Sequence, residues 1–191
     1  MAVQFYETLF WLQQGEERLR VLGALTQPLT ANQIALRIGK SRTSVSEHIR
    51  QMRIYQLLTC LNPSAHQSRV YWLTDDGKLR RTAVARGDEV LECPDIDWDL
   101  YGDLCFRHRR TVLLTLNGRM RPPLVKKRAL ANDPRLRMSV DNCREVLYWM
   151  QSRGVVRSIR PRGRRFALYE LTGVGGTCQH LMRQALMPTA A

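Results

Sequence analysis

Arginine side chains carry most of the chemistry that this sequence offers. Four of them, Arg160, Arg162, Arg164 and Arg165, fall within six residues. A guanidinium group presents a planar fork of N–H donors that matches the oxygens of a phosphate or a carboxylate. The alternative is a solvated turn. Because four neighbouring cations repel one another, we expect this segment to bind an anion.

The basic charge is concentrated in the last part of the chain. The 191 residues include 30 Lys and Arg against 17 Asp and Glu, a formal net charge of +13. Residues 101–191 alone carry 18 basic and 5 acidic side chains, whereas residues 81–100 carry 2 and 6. A merely solvated basic face is the alternative, but a sequence pI of about 10.3 favours a polyanionic partner, nucleic acid above all.

Patterns typical of catalysis or metal binding are missing from the sequence. The cysteines are an odd number without a CxxC spacing, which fits neither a disulfide framework nor a zinc ribbon; they are Cys60, Cys93, Cys105, Cys143 and Cys178. The four histidines lie far apart and form no HExxH pair. Nucleophile-elbow glycines, a P-loop and paired catalytic carboxylates are missing too. We therefore expect reduced thiols, no metal, no cofactor and no enzymatic activity.

An internal repeat organises the chain. A shift of 98 residues superposes 41–77 on 139–175 and makes eight positions identical, where about two are expected from average residue usage. The identical pairs are Ser41/Ser139, Glu47/Glu145, Met52/Met150, Pro63/Pro161, Tyr71/Tyr169, Leu73/Leu171, Thr74/Thr172 and Gly77/Gly175. Upstream, a shift of 91 matches residues 18–25 with 109–116. The second copy therefore has seven extra residues before its third helix.

The first two helices of the first copy are predicted by an apolar stripe and a capping pattern. The stripe lies over residues 19–25 and is broken by the segment TQP. Thr30 and Gln33 form a capping box that opens the second helix, and Gly39 ends it. This tight connection to the next helix predicts a helix-turn-helix.

The third helix, a hairpin and a fourth helix follow in the same copy. Ser41 caps the third helix, whose core face is Val45, Ile49 and Met52. The segments LLTCLNP and SRVYWLT are short β-type runs around a polar turn, which predicts a hairpin. Thr74 is the cap of the last helix, which begins in LTDDGKLRR. The second copy predicts the same order of elements.

This order of three helices, a hairpin and a helix resembles the winged-helix domains of bacterial and archaeal regulators of the MarR and ArsR kind. The motif LTDDG is similar to the Leu-Thr-acidic-acidic-Gly usual after the wing there, and SVDNCREVLYWMQSRGVV with RSIRPRGRRFALYELTGVG resembles the same pattern with a basic wing. The resemblance implies a mainly α fold with small β-hairpins, an α+β arrangement of two tandem winged helix-turn-helix domains. We place them at residues 1–85 and 99–191, joined by an acidic linker at 86–98. Trp98, Leu100 and Tyr101 are expected to pack on the second domain.

In a helix-turn-helix the third helix lies in the major groove of DNA, with its early outward residues at base edges. Arginine can bind guanine bidentately, Ser and Thr can reach bases or phosphates, and Lys can pair with phosphate. An ordinary polar helix face is the alternative. The candidate DNA-binding residues are Lys40, Arg42, Thr43, Ser46, Arg50 and Arg69 in the first copy and Arg135, Arg137, Arg144, Arg160, Arg162, Arg164 and Arg165 in the second.

The two copies differ in the residues that face outward on the third helix. The second copy presents Val140, Asp141, Arg144, Glu145 and Tyr148 there. Phosphate repels an outward carboxylate unless that carboxylate accepts a hydrogen bond from cytosine. We therefore expect the first copy to read sequence and the second to grip the backbone or minor groove through its wing.

Two terminal stripes at helical spacing are candidates for a homodimer interface, with intramolecular packing as the alternative. They consist of Val3, Phe5, Tyr6, Leu9 and Phe10 at one end and Cys178, Leu181, Met182, Ala185 and Leu186 at the other.

The leading hypothesis is a transcriptional regulator that binds double-stranded DNA. The sequence shows neither a stretch long enough to span a membrane nor a secretory signal, so we expect a cytoplasmic, nucleoid-associated protein without membrane contact. One alternative is a tandem winged-helix adaptor that binds protein, of the chromosome-segregation type; such adaptors tend to be acidic, so the charge of +13 argues against it. Another alternative is a plasmid-type replication initiator.

Overall fold

The computed structural model describes residues 2–84, 92–160 and 166–187, with side chains from residue 6 onward. Arg162, Arg164 and Arg165 lie outside the described residues. The described chain is mainly helical with small antiparallel sheets. It divides into a first unit, residues 1–102 with 185–191, and a second unit, residues 103–184. None of the described helices has both the length and the apolar character needed to cross a membrane.

The first unit is built of helices around a short sheet. Its elements are α1 (Ala2–Gln13), α2 (Glu16–Ala24), β1 (Leu29–Thr30), α3 (Ala31–Ile38), α4 (Arg42–Ile54), β2 (Leu58–Cys60), β3 (Val70–Leu73) and α5 (Asp75–Val84). β3 pairs antiparallel with both other strands, in the order β1-β3-β2. The helix α6 (Trp98–Leu104) follows and spans the boundary after Gly102.

The elements of the second unit repeat the order of the first unit from α2 onward, with a single bridge in place of the β1 pairing. They are α7 (Arg107–Thr115), α8 (Pro122–Asn132), α9 (Val140–Ser152), β4 (Val156–Ile159), β5 (Leu168–Leu171) and α10 (Gly173–Leu186), whose last residues belong to the first unit. β4 and β5 pair antiparallel. A single bridge between Met120 and Tyr169 stands where β1 pairs with β3 in the first unit.

The helix and strand bounds reproduce the two sequence shifts. Helix α7 begins 91 residues after α2, and α9 begins 98 residues after α4. The hairpin register repeats as well, because Leu58 faces Leu73 and Val156 faces Leu171. The seven extra residues divide between helix and connection: α8 has 11 residues against 8 in α3, and the remaining four lengthen the connection to α9.

Capping residues set the two ends of α3 and the start of α4, the second and third helices of the sequence analysis, as the sequence predicts. The backbone N–H of Thr30 donates to Gln33 Oε1 at 2.8 Å, and the backbone N–H of Gln33 donates back to Thr30 Oγ1 at 3.3 Å. Gly39 ends α3 at a φ of 65°, a left-handed conformation that glycine adopts without steric cost. Ser41 then accepts a hydrogen bond from the Ser44 N–H at 3.1 Å and opens α4. The turn between α3 and α4 is therefore as short as predicted.

The corner between α4 and the hairpin explains the threonine and the glycine of the repeated motif. Thr74 Oγ1 donates to the Gln56 carbonyl at 2.6 Å and accepts from the Gly77 N–H at 3.0 Å, which caps α5. A Cβ at Gly77 would overlap the carbonyl oxygen of Leu57, so only glycine lets α5 approach this backbone.

The second unit repeats this corner atom for atom. Thr172 Oγ1 donates to the Gly154 carbonyl at 2.6 Å and accepts from the Gly175 N–H at 3.2 Å. A Cβ at Gly175 would overlap the carbonyl oxygen of Val155. The same hydroxyl and the same close approach therefore join helix, hairpin and last helix in both units.

The predicted core faces are buried. In α4 they are Val45, Ile49 and Met52, and in α9 they are Cys143, Leu147 and Met150. Burial raises the pKa of the Cys143 thiol to about 11, so this cysteine stays protonated and acts as a small apolar core residue.

The two terminal stripes differ in exposure. Four members of the C-terminal stripe, Cys178, Leu181, Met182 and Ala185, are buried within the chain. At the N-terminal end, Tyr6 and Phe10 are 69% and 63% exposed, and the side chains of Val3 and Phe5 lie outside the described part. Most of the C-terminal stripe is thus intramolecular packing.

The expectation that Trp98, Leu100 and Tyr101 pack on the second domain is wrong, because all three belong to the first unit. Tyr101 shows this most directly. Its buried hydroxyl accepts a hydrogen bond from Gln33 Nε2 at 3.2 Å. A buried phenol requires a polar partner, and the capping residue of α3 supplies one that the local sequence pattern does not reveal.

Candidate nucleic-acid interface

The outward face of α4 holds four of the predicted site residues. Helical periodicity turns the apolar residues of α4 toward the core and leaves its polar residues in solvent. The exposed predicted residues are Arg42, Thr43, Ser46 and Arg50. Because the short turn after Gly39 and the Ser41 cap fix where the helix begins, the first two of these lie in its first turn.

Two arginines on this face differ in their partners. Arg50 makes a bidentate ion pair with Glu47, with Nε to Oε2 at 3.0 Å and Nη2 to Oε1 at 2.7 Å. Hydrogen bonds from Arg50 and Gln51 lower the pKa of Glu47 to about 2, so this carboxylate is ionised near neutral pH. Within the described residues, Arg42 has no carboxylate partner. Arg42 is thus available to an external acceptor, whereas Arg50 must first leave Glu47.

Glu17 holds the beginning of α4 to α2. Its carboxylate lies 2.5 Å from Lys40 Nζ, accepts a hydrogen bond from Ser44 Oγ at 2.9 Å, and lies 3.1 Å from His48 Nε2. These contacts lower its pKa to about 2. The sequence analysis did not single out Glu17, because its partners belong to another part of the chain, 27 residues away for Ser44 and 31 for His48. Lys40, a predicted site residue, is therefore paired within the unit.

Arg69 immediately precedes β3 in the hairpin. Its Nε donates to the carbonyl of Ala65 at 2.8 Å, across the turn. The preceding residue, Ser68, has a φ of 52°, which is uncommon for a residue with a Cβ. Arg69 is exposed, and one of its guanidinium donors stabilises the turn through this hydrogen bond.

The outward face of α9 is chemically different from that of α4. Arg144 Nη1 pairs with Asp141 Oδ1 at 2.7 Å, and the side chain of Asp141 is 79% exposed. Tyr148 is 59% exposed on the same helix. Arg135 and Arg137 are exposed in the connection before α9, where His108 Nε2 lies 3.0 Å from the Arg137 carbonyl oxygen.

Internal ion pairs use up most acidic side chains of the second unit. The pairs are Asp103–Arg109, Asp133–Arg107, Asp141–Arg144 and Glu170 with both Arg119 and Arg157. Other arginines have no carboxylate partner within the described residues; among them are Arg121, Arg135, Arg137, Arg153 and Arg160. The second unit therefore presents uncompensated positive charge to solvent.

A cavity of about 310 Å³ brings together residues that the sequence analysis had separated. It is lined by Arg121 and Pro122 at the start of α8, by Arg144 and Tyr148 of α9, and by Arg160, Phe166, Ala167 and Tyr169 of the hairpin. Arg144 and Arg160 were predicted site residues, whereas Arg121 and Phe166 were missed. The sequence offered no signal for Arg121, which the 91-residue shift aligns with Thr30, the capping residue before α3.

No protein-family model matches this sequence, and it has no significant similarity to any curated protein.

Proposed function

We propose that this chain is a double-stranded DNA-binding protein of two tandem winged helix-turn-helix domains and that it acts as a transcriptional regulator. The observation that carries the proposal is the outward face of α4, where Arg42, Thr43 and Ser46 are exposed on a helix that follows a short glycine turn. A helix presented in this way can enter the major groove with its first turns at base edges.

Two further observations support the architecture. The two units share their element order from α2 and α7 onward and their hairpin register. Both join the helix before the hairpin, α4 or α9, to the hairpin through a Thr hydroxyl and a close glycine contact. The net charge of +13 supplies the attraction to phosphate that sequence-independent binding requires.

The two domains divide the work in this proposal. The first reads base edges through α4, with Arg42 as the leading candidate for a bidentate contact to guanine. The second holds the phosphate backbone through basic residues before α9 and in the hairpin, including the predicted Arg135, Arg137 and Arg160. Carboxylates on α9 make its face the weaker reader of the major groove.

Binding to labelled duplexes over a range of salt concentrations tests the proposal. If the chain makes roughly 6–10 phosphate contacts, affinity should fall by about 10³–10⁵ between about 50 and 200 mM salt. Selection from random and genomic fragments should then enrich a motif. Uniform retention of all fragments would contradict a sequence-specific regulator. Failure to bind any duplex at low salt would contradict DNA binding and favour the protein adaptor.

A further inference from the structure

The cavity of the second unit has a lining suited to one class of ligand. Three of its side chains, Arg121, Arg144 and Arg160, are cationic, and its described lining includes no carboxylate. Asp141, the partner of Arg144, does not line it. Asp141 compensates Arg144 only, so Arg121 and Arg160 leave the concave site with positive charge that suits an anionic ligand.

Aromatic rings form the other part of the lining. Tyr148 and Phe166 are 59% and 63% exposed, although water is an unfavourable environment for large rings. The rings of Tyr148 and Tyr169 meet edge to face, with centroids 6.3 Å apart. Exposed rings next to guanidinium groups match a ligand that joins a planar ring to a phosphate, which is the chemistry of a nucleotide. At about 310 Å³ the cavity is at the small end of ligand pockets, so it accommodates about one nucleotide.

A second cavity continues the first along α9. It measures about 360 Å³ and shares Tyr148, Arg160, Ala167 and Tyr169 with the first. Its other lining residues are polar: Gln151, Ser152 and Ser158. The two cavities thus form one groove between α9 and the hairpin. A single free nucleotide needs only one such cavity, whereas a nucleotide chain needs consecutive ones.

We propose that this groove binds unpaired nucleotides of a single DNA strand, with bases stacked on Tyr148 and Phe166 and phosphates held by Arg121 and Arg160. In a duplex, both faces of a base are covered by its neighbours, so a protein ring can stack on a base only where the strand is unpaired or at an end. The inference rests on the proposed function and adds a second DNA form to it: both domains contact duplex as proposed, and the groove of the second domain also captures a single strand.

The test compares a labelled oligothymidine with a labelled duplex, both titrated with the full-length chain at low salt. Tyr148→Ala and Phe166→Ala should each weaken oligothymidine binding by about 5- to 150-fold, the range for loss of one stacked base, and leave duplex binding within about 2-fold. Tyr148→Phe keeps the ring and should restore most of the affinity. Both side chains are largely exposed, so the variants should fold normally, as circular dichroism can verify.

Phe10→Ala is the matched control. Phe10 lies in the first unit and is 63% exposed, as is Phe166, so its removal deletes an equally exposed ring outside the groove. It should leave oligothymidine binding unchanged. An unchanged affinity in both Tyr148→Ala and Phe166→Ala would overturn the inference, as would an equal loss of duplex and oligothymidine binding.

Two further outcomes separate the possible sources and the two proposals. Thymidine monophosphate should compete poorly with oligothymidine. Effective competition at equal nucleotide concentration would overturn the proposal of a DNA strand as the ligand and indicate a free nucleotide instead. If the chain binds duplex but Tyr148 and Phe166 do not affect oligothymidine, the inference fails and the proposed function stands. If it binds oligothymidine through those rings but no duplex, the proposed function fails and the groove assignment stands.

Discussion

Helices α4 and α9 share the same frame, that is, the same length, serine cap, buried positions and corner with the hairpin. Their exposed surfaces differ in chemistry. Each has 13 residues, begins after a serine cap, buries three residues at the same positions and ends in the same corner. On α4 the outward face is a row of polar side chains in which Arg42 is available. On α9, Asp141 forms an ion pair with Arg144, and Tyr148 lines the groove between α9 and the hairpin. One backbone can therefore carry two kinds of surface.

The positions that are identical in the two copies explain this difference. Ser41 and Ser139 cap helices, and Met52 and Met150 are buried. The hydroxyls of Thr74 and Thr172 donate to backbone carbonyls at the corner. Gly77 and Gly175 let the following helix approach the backbone closely. Apart from Glu47 and Glu145, none of the identical positions that the structure describes lies on an outward helix face. Residues required by the frame are thus repeated, whereas residues of the surface differ.

The largest effect should come from breaking the frame at its glycines. Gly77→Ala and Gly175→Ala would place a Cβ against a backbone carbonyl oxygen, which cannot rotate away, so α5 or α10, respectively, must move. We expect each change to cost about 3 kcal/mol or more of stability. Urea unfolding followed by hydrogen exchange and mass spectrometry should show the greater loss of protection in the unit that carries the change.

Gly176→Ala is the control for Gly175→Ala. It lies one residue further along α10, and nothing lies within 4 Å of a Cβ built there. Alanine is favoured over glycine within a helix by about 0.8–1 kcal/mol, so this variant should be neutral or more stable. Equal destabilisation by both changes would show that the corner contact is not the cause.

The next effect separates the two outward faces. Arg42→Ala should cost about 1–3 kcal/mol on the preferred duplex and relax base preference there, as expected when a bidentate base contact is lost. Arg50→Ala should cost less, because Arg50 must break its pair with Glu47 before it binds DNA. Asp141→Ala should not weaken binding, since it removes a carboxylate that repels phosphate.

Arg53→Ala is the control on the same helix, because Arg53 is exposed in the last turn of α4, away from the first turns that meet base edges. Titrations on the preferred and scrambled duplexes provide the measurement. If Asp141→Ala abolished selectivity and Arg42→Ala had no effect, the assignment of the reader would be reversed.

The smallest effect concerns the acid dependence of stability. The pKa of Glu17 is lowered from 4.5 to about 2 by Lys40, Ser44 and His48. A carboxylate with a lowered pKa stabilises the fold above its unfolded-state value, and this contribution is lost as pH falls from about 4.5 toward about 2. Glu17→Gln should therefore lower stability at pH 7 and flatten the decline in that acid range.

Thermal melts at several pH values measure this effect. Glu16→Gln is the matched control, because Glu16 is an exposed neighbour whose side chain lies 4.0 Å from Arg20 and outside the Glu17 cluster. It should leave the acid dependence unchanged. The aligned position in the second copy is His108, so this carboxylate contribution belongs to the first unit. An unaltered slope in Glu17→Gln would contradict the assignment.

Much of the frame could be predicted from local sequence. The Thr30 and Gln33 capping box, the Gly39 end of α3 and the Ser41 cap follow from hydrogen bonds between residues three positions apart. The Glu47–Arg50 pair could have been predicted by the same logic, because residues at i and i+3 are neighbours on a helix. The two sequence shifts also predicted that both copies have the same element order.

Only the tertiary structure decided which distant charges meet and where a cavity forms. Lys40 pairs with Glu17, Tyr101 joins the first unit through Gln33, and Arg121 and Phe166 line the same cavity. Sequence patterns record periodicity and spacing along one element, which fix helices, strands and caps. Contacts between elements depend on how those elements pack, so their partners lie many residues apart and no local pattern identifies them.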